Sequence, residues 1–338
     1  MEIKVKMVKS VKCTIVFLLL HLLFSDQSIA QQNIQFTQYV FNSLSVNPAY
    51  AGYKEEWFVQ MALRSQWLGV EGAPKTGVIS IDGIVDPRDR KMGIGFQVTS
   101  DKIGPQFTTS VTGNYAYRLQ LNDDDTQRLS FGIGVGVVQY NLDGQMLNTS
   151  EGGDQAIALD NESHLKPDLR LGVYYNSDYW YVGLSVLDAF YNGEATNTTR
   201  SPAFNISRSR HAYLIAGSLI NVSPEMRVRP SLMIKEDFRG PTSLDMNVMT
   251  IFNDKLWLGG SFRTGFGLWK KGINDLDLGK QNSISGIVQI FVSERFRIGY
   301  SYDYVTSKLG SNQNGSHELT MGFTFGRVPR SFICPRVF

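Results

Sequence analysis

Cysteine is nearly absent from this sequence. Of 338 residues only Cys13 and Cys334 carry a thiol. Cys13 lies in an N-terminal segment that reads as removable. The remaining chain then has no partner for Cys334, which excludes an internal disulfide, a cysteine-ligated zinc site and a Cys-x-x-Cys redox site. An excess of one charge is also lacking. The chain has 33 basic and 31 acidic side chains, a net charge of +2. Lys4, Lys6, Lys9 and Lys12 outnumber Glu2 and Asp26 in residues 1–30 by that same margin, so the rest of the chain is neutral. A nucleic-acid binder normally carries a basic excess, so no nucleic-acid partner is expected. Charged residues are few, at 19%, while aromatics reach 12%, and that balance excludes intrinsic disorder. Long apolar runs are missing after residue 24. No segment of the ~18 residues needed for a membrane-spanning helix follows.

The one apolar run, 13–24, sits behind four lysines and ahead of Ser28 and Ala30, a small-x-small exit before Gln31. This is the layout of a secretory signal peptide over residues 1–30. The run is shorter than the ~20 residues of a spanning helix, which argues against a permanent anchor. The exported chain is then soluble or a β-barrel.

The body of the chain alternates with period two. From Arg295 to Tyr304 the even positions are Phe296, Ile298, Tyr300, Tyr302 and Tyr304, and the odd ones are Arg295, Arg297, Gly299, Ser301 and Asp303. From Glu318 to Phe325 the odd side is Leu319, Met321, Phe323 and Phe325. Alternation of this kind means strands with one apolar and one polar face. The same test, strong in some segments and weak at 76–84 and 211–221, marks about fourteen strands between Trp57 and Phe325. Tight links, at 176–178, 253–255 and 293–294, fall after even strands. Long links, at 141–165, 188–209, 265–281 and 306–316, fall after odd ones. A transmembrane barrel has this asymmetry of short periplasmic turns and longer outer loops. The predicted fold is therefore all-β: a transmembrane antiparallel up-and-down β-barrel of about 14 strands over residues 55–326. Its outer wall would meet outer-membrane lipid, with Tyr115, Tyr117, Tyr300, Tyr302 and Tyr304 at the interfaces.

The inward face is expected to hold Arg64, Arg118, Arg170, Arg229, Arg263, Arg295 and Arg297 with Asp168, Asp245, Asp303 and Glu318. Mixed signs read as a paired polar interior; an anion-selective channel is the alternative. Signals for catalysis are thin. His164, His211 and His317 have no nucleophile and orienting acid in an arrangement that would make a triad. The acidic runs at Asp123–Asp125 and at Asp154 and Asp160 lack the ligand spacing of a calcium loop. Gly132, Gly134 and Gly136 lie mid-strand with no helix after them, unlike a dinucleotide fingerprint. The expectation is a non-enzymatic protein with no metal and no cofactor.

Two stretches do not read as strands. Residues 31–54 are rich in Gln, Asn and aromatics, with Pro48 and Gly52 turning the chain. They are expected to form an N-terminal plug or periplasmic segment. Residues 327–338, with Pro329 and Pro335 among basic residues, form a C-terminal tail beyond the last strand.

These segments carry a resemblance. QYVFNSLSVNPAYAG (38–52), RSQWLGVEGAPKT (64–76), RIGYSYDY (297–304) and GSHELTMGFTF (315–325) resemble the PorP/SprF family, outer-membrane proteins of the type IX secretion and gliding machinery of Bacteroidota. The ending CPRVF is similar to that family's Pro-Arg-aromatic terminus. The resemblance implies a non-enzymatic component of that machinery in the outer membrane of a Gram-negative bacterium. It would support export or surface anchoring of a large adhesin. Implied partners are a secreted adhesin or its C-terminal domain and periplasmic components of the system. A passive porin or solute transporter is the alternative. The positions that the resemblance marks for plug or partner binding are Gln38, Tyr39, Asn42, Asn47, Pro48, Tyr50 and Gly52, followed by Arg64, Gln66 and Trp67.

Overall fold

The structure, a computed structural model, describes residues 35–146, 161–196, 206–238, 240–266, 282–307 and 313–325. The expected signal peptide, the C-terminal tail, Cys334, Asp154 and Asp160 lie outside the described residues.

The strands follow one another as the alternation predicts. They are β1 (Trp57–Ser65), β2 (Lys75–Ile84), β3 (Met92–Ile103), β4 (Gln106–Gln120), β5 (Arg128–Leu142), β6 (Glu162–Asn176), β7 (Trp180–Thr196) and β8 (Ile206–Ser218). After them come β9 (Ile220–Ser223), β10 (Met226–Glu236), β11 (Thr242–Phe252), β12 (Leu256–Phe266), β13 (Ser283–Phe291), β14 (Phe296–Val305) and β15 (Ser316–Phe325). Each pairs antiparallel with its neighbours, and β15 pairs with β1, so the sheet closes. β8 and β9 follow one register along β10 and together make a single stave, giving a closed barrel of 14. The interruption faces Pro230, which has no N–H to donate to a ladder.

Closure removes the unpaired edges that lipid cannot hydrogen-bond. The outer wall is apolar: Leu63, Ile79, Ile94, Phe96, Phe131, Ile133, Val135, Leu184, Met246 and Ile284 are all exposed. In water so large an apolar surface would drive association. On a barrel it is the band that faces hydrocarbon.

The links sort by rim, with two exceptions. Turns 85–91, 121–127, 177–179, 224–225, 253–255 and 292–295 lie at one rim, and the longer links lie at the other. The exceptions are the link 237–241 and the two-residue turn Gly104–Pro105, both at the long-link rim; Gly104 adopts φ +53° there. Two expected long links are also partly strand. β5 and β6 reach Leu142 and Glu162, and β7 and β8 reach Thr196 and Ile206. Strands above the bilayer have no lipid face, so nothing there enforces apolar alternation.

Inward positions match expectation for Arg64, Arg118, Arg170, Arg229, Arg263, Arg297, Asp168, Asp245, Asp303 and Glu318, all of them buried. Arg295 does not: it is exposed in the turn before β14. The alternation there ran one residue past the strand end.

Candidate functional site

The interior of the barrel is built around residues 35–54. Three short 3₁₀ turns, Tyr39–Phe41, Ser43–Ser45 and Pro48–Tyr50, fold this segment. Its side chains and backbone bond to the inner faces of β1, β2, β3, β6, β7, β10, β12, β14 and β15. No two of those partners are close in sequence to the segment, so the packing is tertiary throughout.

Arg64, near the end of β1, is the centre of one contact set. Its guanidinium donates to Thr37 Oγ1 (2.7 Å), Glu318 Oε2 (3.0 Å) and Asp303 Oδ2 (2.5 Å). Glu318 in turn accepts from two successive backbone amides, Thr37 N at 2.8 Å and Gln38 N at 3.0 Å. The Gln38 side chain accepts from Thr320 Oγ1 (2.9 Å) and donates to the Glu318 carbonyl (3.3 Å). Arg263 pairs with Asp245 and reaches the Phe36 carbonyl. Buried charges are tolerable only when paired and hydrogen-bonded, and here each carboxylate has a cationic partner. The backbone enters the barrel through a carboxylate clasp.

Asn47 is the second anchor. It is fully buried, and its Oδ1 accepts from Ala49 N (2.9 Å), capping the turn that Pro48 begins. Its Nδ2 donates to the carbonyls of Val173 (3.1 Å) and Leu184 (3.3 Å), which face each other on β6 and β7. The wall accommodates this turn with glycine. A Cβ on Gly132 would overlap the backbone of Pro48 and Ala49, and one on Gly172 would overlap Asn47 Oδ1. Gly52 closes the segment at φ +71°, with its N–H on Asp82 Oδ2 (3.0 Å).

Between these anchors lies an apolar tier. Tyr50 packs on Tyr53 (5.0 Å) and Tyr174 (5.7 Å), and Tyr174 on Tyr181 (5.6 Å). Phe41 meets Trp257 at 5.4 Å, and the Arg297 guanidinium sits 5.3 Å from the Phe41 ring. Tyr39 donates to Ser231 Oγ at 3.4 Å. Asn42 is buried, and its side-chain amide has no hydrogen-bond partner among the described residues. At the short-turn rim Lys54 lies 3.3 Å over the Phe58 ring, and burial together with Arg297 pushes its ammonium well below the usual lysine range. Glu55, just after the segment, pairs with Arg118 (3.2 Å) and Arg90 (3.2 Å), and Arg90 also with Asp125 (3.4 Å), which joins it to the turns 85–91 and 121–127.

Of the ten residues marked in the sequence, eight meet here: Gln38, Tyr39, Asn42, Asn47, Pro48, Tyr50, Gly52 and Arg64. Gln66 and Trp67 do not. They lie in the β1–β2 link at the long-link rim, where Gln66 N donates to the Pro74 carbonyl and Trp67 N to Ser316 Oγ (3.2 Å). Thr37, Gly132 and Gly172 contribute without having been singled out for this role. Glu318 and Asp303 were expected only as inward polar residues. Their contacts span more than two hundred residues, so no local motif announces them.

The family model for the type IX secretion system membrane protein PorP/SprF matches residues 28–323. No curated protein matches the sequence. Among solved structures the chain is similar to Omp33 of Acinetobacter baumannii, at 11% identity and TM-score 0.42, covering 80% of this chain and 98% of that one. It is similar to a Pseudomonas aeruginosa FadL homologue at 10% identity and TM-score 0.47, covering 83% and 93%. It is also similar to the monoaromatic hydrocarbon channel CymD at 12% identity and TM-score 0.49, covering 88% and 95%.

Proposed function

The chain belongs to the PorP/SprF family of type IX secretion system membrane proteins, and on that premise we propose that it is a non-enzymatic assembly or anchoring component of the machinery. It is an outer-membrane barrel, and its partners belong to that secretion system. The finer reading is that it supports export or surface attachment of a large adhesin, engaging the adhesin or its C-terminal domain and periplasmic components. Residues 31–54 would serve as a plug in that role.

One observation carries this reading over a passive porin. Thr37 and Gln38 are held by Glu318, and Asn47 by β6 and β7, so residues 35–54 occupy the interior that a porin would keep open to water. A chain segment bound at nine strands favours a role in holding or releasing polypeptide over an open aqueous bore.

The test is conductance of the purified full-length protein in planar bilayers, beside a variant lacking residues 31–54. The anchor reading expects a silent full-length barrel and a conducting deletion variant. Large, stable currents from the full-length protein would sink it in favour of a porin. The adhesin role is tested separately, by loss of a large surface protein from cells lacking this chain and its return on complementation.

A further inference from the structure

The outer wall is apolar over most of its height, but one line across it is polar and basic. At the long-link rim the strand register runs straight from β14 to β4. Tyr302 is opposite His317, His317 opposite Ser65, Ser65 opposite Lys75, Lys75 opposite Lys102, and Lys102 opposite Phe107. The alternation of each strand turns all of these side chains outward. They stand at the strand ends: Ser65 closes β1, Lys75 opens β2, and Lys102 is next to last in β3. Lys75 and Lys102 are both exposed. Two ammonium groups thus sit side by side on neighbouring strands, and like charges directly opposite destabilise a sheet.

No protein group among the described residues neutralises this pair. The outward positions of β14, β15 and β1–β4 hold no carboxylate. Asp101, next to Lys102 in sequence, faces the lumen and accepts from Thr76 Oγ1. Glu71, in the β1–β2 link, is exposed and pairs with neither lysine. The other end of the row is satisfied from within. His317 Nδ1 lies 2.5 Å from the Tyr300 hydroxyl, and its ring lies 5.1 Å from that of Tyr302. Lower on the same strands Leu63, Ile79 and Phe96 are exposed, the apolar wall that meets lipid chains. Beyond the lysines the chain turns at once, through Gly104–Pro105, and Gly104 N donates to the Gly72 carbonyl at 2.8 Å.

We propose that Lys75 and Lys102 form a binding site for the phosphate headgroup of an anionic lipid in the outer leaflet, with the Ser65 hydroxyl beside them. A phosphate has oxygens enough to take both ammonium groups, and bonds to charged donors are the strong ones. Placed between the lysines, it turns their repulsion into attraction. Lysine stems lie along apolar surface while their heads reach the polar interface, the depth of a lipid headgroup. The long-link rim is the outer one, because the short turns of such a barrel are periplasmic. The apolar wall below the lysines selects lipid over a soluble phosphate. One molecule with an anion at the interface and chains beneath it covers both surfaces, and a free phosphate covers one. The inference goes beyond the assembly role and does not depend on which protein is secreted.

The experiment uses the full-length protein in two bilayers, dioleoylphosphatidylcholine alone and the same lipid mixed with dioleoylphosphatidic acid. The temperature of heat-modified mobility on gels is read in each. Phosphatidic acid is expected to raise it for the unchanged protein. Lys102→Gln is expected to change sign between the bilayers. In phosphatidylcholine it lifts the repulsion and raises the temperature; in the mixture it loses the lipid contact and falls below the unchanged protein. The control is Lys91→Gln/Lys255→Gln, two exposed lysines of the short-turn rim. It is expected to respond to phosphatidic acid as the unchanged protein does. No gain from phosphatidic acid, an effect of Lys102→Gln with the same sign in both bilayers, or an equal loss in the control overturns the proposal. So does an equal gain from glycerol 3-phosphate added to phosphatidylcholine bilayers, which would assign the lysines to a free phosphate. Native mass spectrometry of phosphatidic acid binding in detergent gives a second reading. Each of Lys75→Gln and Lys102→Gln is expected to weaken binding ~10-fold, the scale of one bond to a charged group. The double variant is expected to fall short of the product of the singles, since both lysines hold one phosphate. Unweakened binding in both singles overturns the proposal as well. Neither readout involves conductance, so failure here is distinct from failure of the anchoring role.

Discussion

The carboxylate of Glu318, on the last strand of the barrel, accepts the backbone N–H of Thr37 at 2.8 Å. The same carboxylate takes Gln38 N at 3.0 Å and the Arg64 guanidinium at 3.0 Å. The first described residues of the chain are thereby fixed to its final strand, and Arg64 on β1 bridges the two. This clasp joins the N-terminal segment to the seam at which the barrel closes, β15 against β1.

Replacing Glu318 by Gln keeps the shape and removes the charge. Breaking a buried pair from one side costs about 3–5 kcal/mol, because the partner's charge is left uncompensated. Glu318→Gln is expected to free the segment around Thr37, so that a full-length barrel gains conductance and exposes residues 35–40 to added protease. Unchanged conductance and protection would show that the clasp does not hold the segment.

The glycine contacts allow a steric test. Gly132→Ala puts a methyl group into the backbone of Ala49, and Gly172→Ala into Asn47. Overpacking of this kind costs about 1–3 kcal/mol, and backbone has less room to yield than a side chain tip. Both variants are expected to lower the temperature of heat-modified mobility on gels. Gly286→Ala meets open space and is expected to leave that temperature unchanged.

Asn47→Ala removes the turn's cap and two donors to the wall. Losing the cap alone costs about 0.5–2 kcal/mol. The carbonyls of Val173 and Leu184 keep their places in the sheet, so the barrel itself is expected to persist. The expected outcome is a folded barrel with an unfolding temperature lowered as in Gly172→Ala. The double variant Asn47→Ala/Gly172→Ala is expected to fall short of the sum of the singles, since both act on one contact. Full additivity would mean that the two sites are independent.

The barrel was legible in the sequence because lipid imposes period two on residues that would otherwise vary. Phe131, Ile133 and Val135 face out, and Ser130 and Gly132 face in, for that one reason. The same rule misled where lipid no longer acts. The outer parts of β5–β8 read as loops because strands in water need no apolar face. Arg295 read as inward because alternation ran through a turn. Tyr115, Tyr117, Tyr300, Tyr302 and Tyr304, the tyrosines read as interfacial, are all exposed, while Tyr174 and Tyr181, on the opposite face of their strands, pack the interior beside Tyr50 and Tyr53. The site was half legible. Asn47-Pro48 is a turn by its own chemistry, and Gly52 needs its positive φ. That Glu318 would receive Thr37 follows only from closure of the barrel, which brings β15 beside β1.

Trp257 offers a spectroscopic reading of the interior. It is buried, and its ring lies 5.4 Å from Phe41 of the segment and 5.6 Å from Phe291. An indole whose apolar cover leaves is exposed to water, and its emission moves to longer wavelength. The difference spectrum between the protein and its Trp257→Phe variant isolates that one residue. It is expected to shift red in the barrel lacking residues 31–54 and in Glu318→Gln. Trp67→Phe is the internal control, because Trp67 lies at the other rim and bonds to Ser316, not to the segment. Its own difference spectrum is expected to be the same in all three backgrounds. If the Trp257 spectrum did not move on deletion, Phe41 would not be what keeps water from it, and the apolar tier would be sealed by the wall alone.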